Sequence, residues 1–196
     1  FTIVPLQAVA GEHEIVGFVE SAPRNYQIED EQKKFIKELV LKVYRKNKSN
    51  KTLKIIANSF AIPYFFLTRD NRQELVQFIS DVNPDIICVA SMSQLLKKEA
   101  YSLPKYGTIN FHPALLPDYR GPNPWFWQYY YMEKEAGATI HFIDDGEDTG
   151  DILKQGKIKV KPGMSPKELM DEVIQLGAKL MVEALEEVNN GTATPI

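Results

Sequence analysis

Two hydrophobic patterns alternate along the chain. In one, apolar residues recur at a spacing of three and four, which is typical of amphipathic helices; in the other, short apolar or alternating runs indicate strands. Helices are predicted over residues 1–10, 28–46, 52–61, 72–82, 95–100, 124–131 and 165–188, and strands over 14–19, 62–67, 85–90, 107–112, 138–143 and 152–160. This alternation predicts an α/β fold: a mostly parallel sheet with helices on both faces. In such sheets a ligand binds at the carboxyl ends of the strands.

Local signals place several helix ends. Asn71 is expected to cap the helix over 72–82, and Asn123 the helix that begins at Pro124. Ser165 and Glu168 form a capping box, and Gly191 is expected to end the last helix.

Three segments have both a structural and a functional interpretation. The unbroken apolar run 85–90 predicts a strand covered on both faces, with Cys88 in the core rather than reactive. The aromatic residues of 125–131 could stack on bases, but core packing or a partner surface is favoured. Five basic residues in 42–51 are interpreted as a solvated helix end, in preference to an anion patch.

The composition of the chain excludes several classes of protein. The chain has 196 residues, of which 44% are hydrophobic and 25% charged, as in an ordinary globular domain. Its net charge of −3 argues against a domain devoted to nucleic-acid backbones. The single cysteine excludes an intrachain disulfide, and no apolar run approaches the roughly 20 residues that span a bilayer. We therefore expect a cytoplasmic protein with no membrane partner.

The strand that begins near Gly107 carries the first candidate chemistry. Asn110 and His112 are two apart, so their side chains share one face, and Pro113 ends the strand. A carboxamide beside an imidazole could polarise a carbonyl group. The same residues could equally be a capped strand with a hydrogen-bonded surface histidine, because a lone histidine is an ambiguous signal.

An acidic loop over residues 144–151 follows the strand 138–143 and should lie at the same end of the sheet. Its spacing does not match a calcium loop, and no metal is predicted. We expect one buried carboxylate that orients His112 and raises its pKa, with the other acids exposed. His141, within the strand, is interpreted as structural.

Two ordered motifs identify a family. The first is Asn-Phe-His-Pro-Ala-Leu-Leu-Pro-Asp-Tyr-Arg-Gly, residues 110–121, and the second is Asp-Gly-Glu-Asp-Thr-Gly-Asp-Ile-Leu, residues 145–153. Together they resemble the 10-formyltetrahydrofolate-dependent formyltransferases, and most closely the catalytic domain of the methionyl-tRNA formyltransferase branch. The resemblance extends through residues 83–87 and 11–19, so it covers nearly the whole chain.

The resemblance implies a Rossmann-like transferase whose catalytic residues are Asn110, His112 and Asp148. It also implies that 10-formyltetrahydrofolate is the formyl donor, bound largely through backbone groups of two loops. The folate-contacting positions in those loops are Ala90, Ser91, Met92, Gln94, Leu96, Ile143, Asp145 and Gly146.

Departures from the family pattern limit what can be inferred about the acceptor. Family members open with a strand and a glycine-containing loop, whereas residues 1–10 read as a helix, so we expect the natural protein to be longer at its N-terminus. We interpret residues 1–190 as the catalytic domain and 191–196 as a tail or the start of a linker. The partners implied are folate and an amine acceptor, either methionyl-tRNA, which the net charge does not support, or a nucleotide amino sugar. A 10-formyltetrahydrofolate hydrolase and a non-catalytic folate-binding module remain alternatives.

Overall fold

The computed structural model describes residues 3–23 and 53–196 of the chain. The predicted helix 28–46 and the basic residues of 42–51 lie outside this part. The described elements are helices α1 (Ile3–Glu12), α2 (Leu53–Ser59), α3 (Arg72–Val82), α4 (Lys98–Tyr101), α5 (Pro124–Tyr130) and α6 (Pro166–Asn190), and strands β1 (Phe18–Ser21), β2 (Tyr64–Leu67), β3 (Ile87–Ala90), β4 (Thr108–His112), β5 (Glu135–Phe142) and β6 (Ile152–Lys159). The predicted α/β fold class is confirmed, although β1 and α4 begin later than expected.

The strands form two sheets in the described part of the chain. β1 and β2 pair in parallel, with Phe18 opposite Tyr64. The second sheet has the order β3-β4-β5-β6, in which β3 and β4 are parallel and the two remaining pairings are antiparallel. The parallel strands are those joined by helical crossovers. The chain returns directly from β5 through an acidic loop into β6, a connection short enough to give antiparallel neighbours.

The main core lies between the second sheet and α6. Ile109 and Phe111 of β4 point into it, against Leu169, Val173 and Met181 of the helix. Asn110 and His112 alternate with these residues and therefore lie on the opposite face, as the period of two predicts. Hydrophobic burial thus fixes which side of β4 the polar pair occupies.

A second, smaller core supports the loop after β3. Leu67, Leu75, Ile79 and Ala100 form its buried centre, and they come from β2, α3 and α4. Met92 and Leu96 pack against this centre.

Two of the predicted caps differ from expectation. Asn71 precedes α3, but its side chain accepts a hydrogen bond from the backbone N–H of Thr68 and donates to Phe66 O, so it braces the turn after β2. Asn123 precedes α5 in a left-handed conformation, with no side-chain bond to the helix. The Ser165–Glu168 capping box is confirmed, as is the end of α6 at Gly191, which is also left-handed.

Burial corrects two further expectations. Cys88 is exposed, and Val89 is the one fully buried residue of β3. Among the aromatic residues, Tyr129 packs on the main core. Four others have exposed side chains, so the core alternative is wrong for them and the partner surface stays a prediction: Phe126, Trp127, Tyr130 and Tyr131.

The last residues lie against β6. Ile152 and Ile196 exchange two backbone hydrogen bonds, of 2.8 and 3.0 Å. Among the residues that the structure describes, no helix combines the length and the apolar character needed to cross a bilayer.

Close packing of Phe111 on Gly177 of α6 generates a prediction about stability. A Cβ on Gly177 would lie 2.2 Å from Cε2 of Phe111, closer than any real contact. We expect Gly177→Ala to lower the free energy of unfolding by about 1–3 kcal/mol, because overpacking outweighs the gain in helix propensity. Urea denaturation measures this change.

Gly11→Ala is the matched control. Gly11 also lies in a helix, but a Cβ there would meet nothing within 4 Å. This substitution should leave the unfolding free energy unchanged or raise it by up to about 1 kcal/mol. Equal effects of the two substitutions would contradict the packing argument.

Candidate active site

The carboxyl end of β4 brings Asn110 and His112 to one face of the sheet. The antiparallel pairing with β5 sets His141 opposite Asn110 and Thr139 opposite His112. His112 is almost completely buried, and Asn110 is half-buried. Four polar side chains therefore share one patch of sheet surface in a fixed register.

Asp148 reaches this patch from the acidic loop. Its Oδ2 lies 3.3 Å from Nδ1 of His112, and its Oδ1 lies 3.5 Å from Nδ2 of Asn110. Asp148 adopts a left-handed backbone conformation, with φ of 54°, and the backbone N–H of Gly121 donates to its Oδ2 at 2.9 Å. The structure thus brings together all three residues that the resemblance assigned to catalysis.

The hydrogen bonds of His112 define its tautomer. Nε2 lies 2.9 Å from the carbonyl oxygen of Tyr119, which can only accept, so Nε2 carries a proton. In the neutral ring Nδ1 is then an acceptor, and it faces a carboxylate oxygen that is also an acceptor. Two acceptors 3.3 Å apart suit a single group that bears two donor hydrogens.

Burial is the largest influence on the pKa of His112. Burial lowers its pKa below the ordinary value of 6.5, and the opposing effects of the Asp148 charge and the Tyr119 carbonyl are smaller. The expected effect of Asp148 is present, because its charge raises the pKa of His112, but burial outweighs it and the net pKa is lowered rather than raised. Burial also acts to raise the pKa of Asp148, but the neighbouring His141, the charge that His112 carries when protonated, and the Gly121 amide together lower it. Burial therefore favours a neutral imidazole beside an ionised carboxylate.

The other acids of the loop have different partners. Asp144 accepts hydrogen bonds from the backbone N–H of Gly146 and from Oγ1 of Thr149, at 3.0 and 2.6 Å. These bonds hold the turn that precedes Asp148. Asp145 accepts from the hydroxyl of Tyr101 at 2.7 Å. Asp148 is half-buried, whereas Asp144, Asp145 and Glu147 are exposed, which is the division the sequence predicted.

His141 was missed as part of the site. Its Nε2 lies 3.1 Å from Nδ2 of Asn110 and 3.5 Å from Oδ1 of Asp148. A signal was present in the sequence, because an alternating strand places Thr139 and His141 on one face. The pairing of β5 with β4, however, could not be read from either strand alone.

The segment after His112 is held by three polar side chains, of which Gln128 and Thr139 are buried and Gln155 is exposed. Nε2 of Gln128 donates to the Pro113 carbonyl at 2.9 Å. Oγ1 of Thr139 donates to the Ala114 carbonyl at 2.6 Å and accepts from the Leu116 N–H. Gln155 donates to the Leu116 carbonyl. These bonds fasten the path from His112 toward Tyr119, whose carbonyl sets the histidine tautomer.

The first predicted folate loop is tied to the neighbouring strands. Ala90 ends β3 and Ser91 is exposed with φ of 63°, while Met92 and Leu96 pack on the smaller core. Nε2 of Gln94 donates to the carbonyls of Ala22 and Leu67, at 3.4 and 3.2 Å. Its Oε1 is buried without a hydrogen-bond partner among the described residues.

The second predicted folate loop begins where β5 ends. The backbone N–H of Ile143 donates to Thr108 O, which continues the pairing with β4. Gly146 is crowded, because a Cβ there would lie 2.0 Å from Oγ1 of Thr149. Asp145 is linked through Tyr101 to α4, the helix that follows the first loop. The structure thus links the surroundings of the two loops through the hydrogen bond between Tyr101 and Asp145.

The opposing effects of burial and charge at His112 yield a second prediction. Asp148→Asn removes the carboxylate that favours the imidazolium, so the pKa of His112 should fall further. A ring-proton NMR titration measures it. Below pH 6.5 the unfolded chain then binds a proton at His112 that the folded variant does not. The free energy of unfolding of Asp148→Asn should therefore decline more steeply than that of the unmodified protein as the pH falls below 6.5.

Asp145→Asn provides the control for that titration. Asp145 is exposed and is not among the groups that shift His112. The control should leave the histidine pKa unchanged. A higher pKa in Asp148→Asn would show that the carboxylate does not stabilise the imidazolium.

The chain is similar to known sequences over much of its length. It is 35% identical over 141 residues to the methionyl-tRNA formyltransferase of Clostridium botulinum, a match covering 71% of this chain and 46% of that protein. It is 39% identical over 125 residues to the enzyme of that name from Acidobacterium capsulatum, covering 64% and 40%. The chain thus spans less than half the length of these curated relatives.

Solved structures show the same fold. The phosphoribosylglycinamide formyltransferase of Coxiella burnetii superposes with a TM-score of 0.72 at 22% identity, over 98% of this chain and 90% of that one. The Streptococcus pneumoniae protein of that name gives 0.71 at 17% identity, over 94% and 92%. The model of the family described as formyl transferase matches residues 7–185, and this chain belongs to that family.

Proposed function

We propose that this protein transfers a formyl group from 10-formyltetrahydrofolate to a primary amine. Membership of the formyl transferase family and relatives named methionyl-tRNA formyltransferase support this activity. The observation that carries the proposal is the convergence of Asn110, His112 and Asp148 at the carboxyl end of β4.

The geometry suits attack of an amine on an amide-like carbonyl. A primary amine has two N–H groups, and the paired acceptors Nδ1 of His112 and Oδ2 of Asp148 can receive both. As the amine nitrogen bonds to the formyl carbon, His112 takes one of its protons. The carbonyl oxygen gains negative charge, and an N–H of Asn110 stabilises it. The bond from the formyl carbon to the folate nitrogen then breaks, and that nitrogen receives the proton from His112.

The two loops at the ends of β3 and β5 are proposed to hold the folate. The buried, unpaired Oε1 of Gln94 is an acceptor that a pterin N–H group could satisfy. Met92 and Leu96 are half-buried apolar neighbours of the same loop. Backbone contacts from residues 143–146 would complete the site.

The acceptor is proposed only as a primary amine. The relatives named methionyl-tRNA formyltransferase make the amine of methionyl-tRNA the first candidate acceptor. The chain, however, covers less than half of the length of these relatives, and its net charge is −3. A smaller amine, such as an amino sugar on a nucleotide, is the second.

The direct experiment supplies 10-formyltetrahydrofolate with candidate amines and follows both loss of the donor and formylation of the amine. We expect His112→Ala to lower turnover by about 10²–10⁴-fold, because the proton acceptor is lost. Folate affinity should change little, since the proposed folate contacts come from other residues. Single-turnover kinetics and equilibrium binding separate the two quantities.

His13→Ala is the matched control, because His13 follows α1 and lies outside the site. It should retain wild-type turnover. Donor loss without amine formylation would indicate a hydrolase, and folate binding without turnover would indicate a binding module. Undiminished turnover in His112→Ala would overturn the proposed mechanism.

A further inference from the structure

His141 lies in the site without a role in the mechanism above. It is buried, and the β4–β5 register places it directly opposite Asn110. Its two ring nitrogens have different surroundings. Nδ1 faces the carbonyl oxygen of Phe142 at 2.8 Å, and Nε2 faces Nδ2 of Asn110 at 3.1 Å.

The Phe142 carbonyl fixes the tautomer of His141. A carbonyl oxygen can only accept, so Nδ1 carries the proton and Nε2 of the neutral ring is an acceptor. The carbonyl itself has little freedom. The backbone N–H of Phe142 is bonded to Asp151 O, and Gly150 passes so close that a Cβ on it would lie 2.0 Å from this oxygen.

An acceptor at Nε2 determines which way the Asn110 carboxamide points. Its NH₂ group satisfies Nε2, whereas its oxygen would face another acceptor there and be repelled. One N–H of Asn110 is then held by His141 at 3.1 Å. The second is directed toward Asp148 Oδ1 at 3.5 Å, a long and weak contact that leaves it available.

We propose that His141 is a positioning residue that holds the Asn110 carboxamide with its N–H group, and not its oxygen, toward the reacting carbonyl. The proposal rests on the proposed function. His141 acts through Asn110: it makes the amide a hydrogen-bond donor where negative charge develops, and it pre-orients that donor before substrate binds. Without His141 the Asn110 carboxamide can rotate by about 180° and direct its oxygen toward the reacting carbonyl, where it would repel the oxyanion.

The first test does not depend on any activity. In protein labelled with ¹⁵N-histidine, the ring nitrogens of His141 are examined by NMR at neutral pH. We expect a protonated Nδ1 and a bare Nε2. The opposite tautomer, or a ring with both nitrogens protonated, could not accept from Asn110 and would overturn the proposal even if formyl transfer is confirmed.

The second test compares two substitutions of similar size. His141→Leu removes the acceptor, and His141→Gln retains one in its amide oxygen. We expect His141→Leu to lower kcat roughly 10- to 100-fold with little change in the KM for folate, as for a misplaced oxyanion donor. His141→Gln should recover a substantial part of that loss. Equal kcat values in the two variants would contradict the positioning role.

A double-mutant cycle with Asn110→Ala separates positioning from a general structural effect. If His141 acts through Asn110, His141→Leu should change kcat by less than about threefold once the amide is absent. A full additive loss would show that His141 supports the site in another way. Urea unfolding of each variant reports the structural contribution separately, and absence of turnover in the unmodified protein would reject the proposed function while leaving the NMR result valid.

Discussion

The antiparallel pairing of β4 with β5 is the constraint on which the site depends. It sets Asn110 opposite His141 and His112 opposite Thr139, and it carries the chain past Ile143 into the loop that supplies Asp148. A slip of one residue would turn each inward side chain of β4 outward. The same register that aligns the backbone hydrogen bonds therefore also aligns the polar groups.

The opposite face of β4 protects this register. Ile109 and Phe111 are fully buried against α6, and Phe111 fits because Gly177 has no side chain. A slip would move two large apolar residues out of the main core and two polar residues into it, so hydrophobic packing on one face specifies the chemistry of the other.

Backbone carbonyls complete the arrangement by fixing proton positions. The Tyr119 carbonyl assigns the proton of His112 to Nε2, and the Phe142 carbonyl assigns that of His141 to Nδ1. The first leaves Nδ1 of His112 facing Asp148, and the second leaves Nε2 of His141 facing Asn110. Two histidines on neighbouring strands therefore present different nitrogens to the reaction space, although their intrinsic chemistry is identical.

Four features could be read from the amino-acid sequence alone: the α/β class, the face shared by Asn110 and His112, the capping box at Ser165 and the two motifs that identify the family. These features follow from local periodicity or from short runs of residues, which need no knowledge of distant contacts. Four features became visible only in the folded chain: His141 joins the site, burial lowers the pKa of His112, Cys88 is exposed, and the Asn71 side chain braces a turn. Each of these depends on which segments become neighbours, because strand pairing, solvent exposure and hydrogen-bond partners are set by residues far apart in the chain.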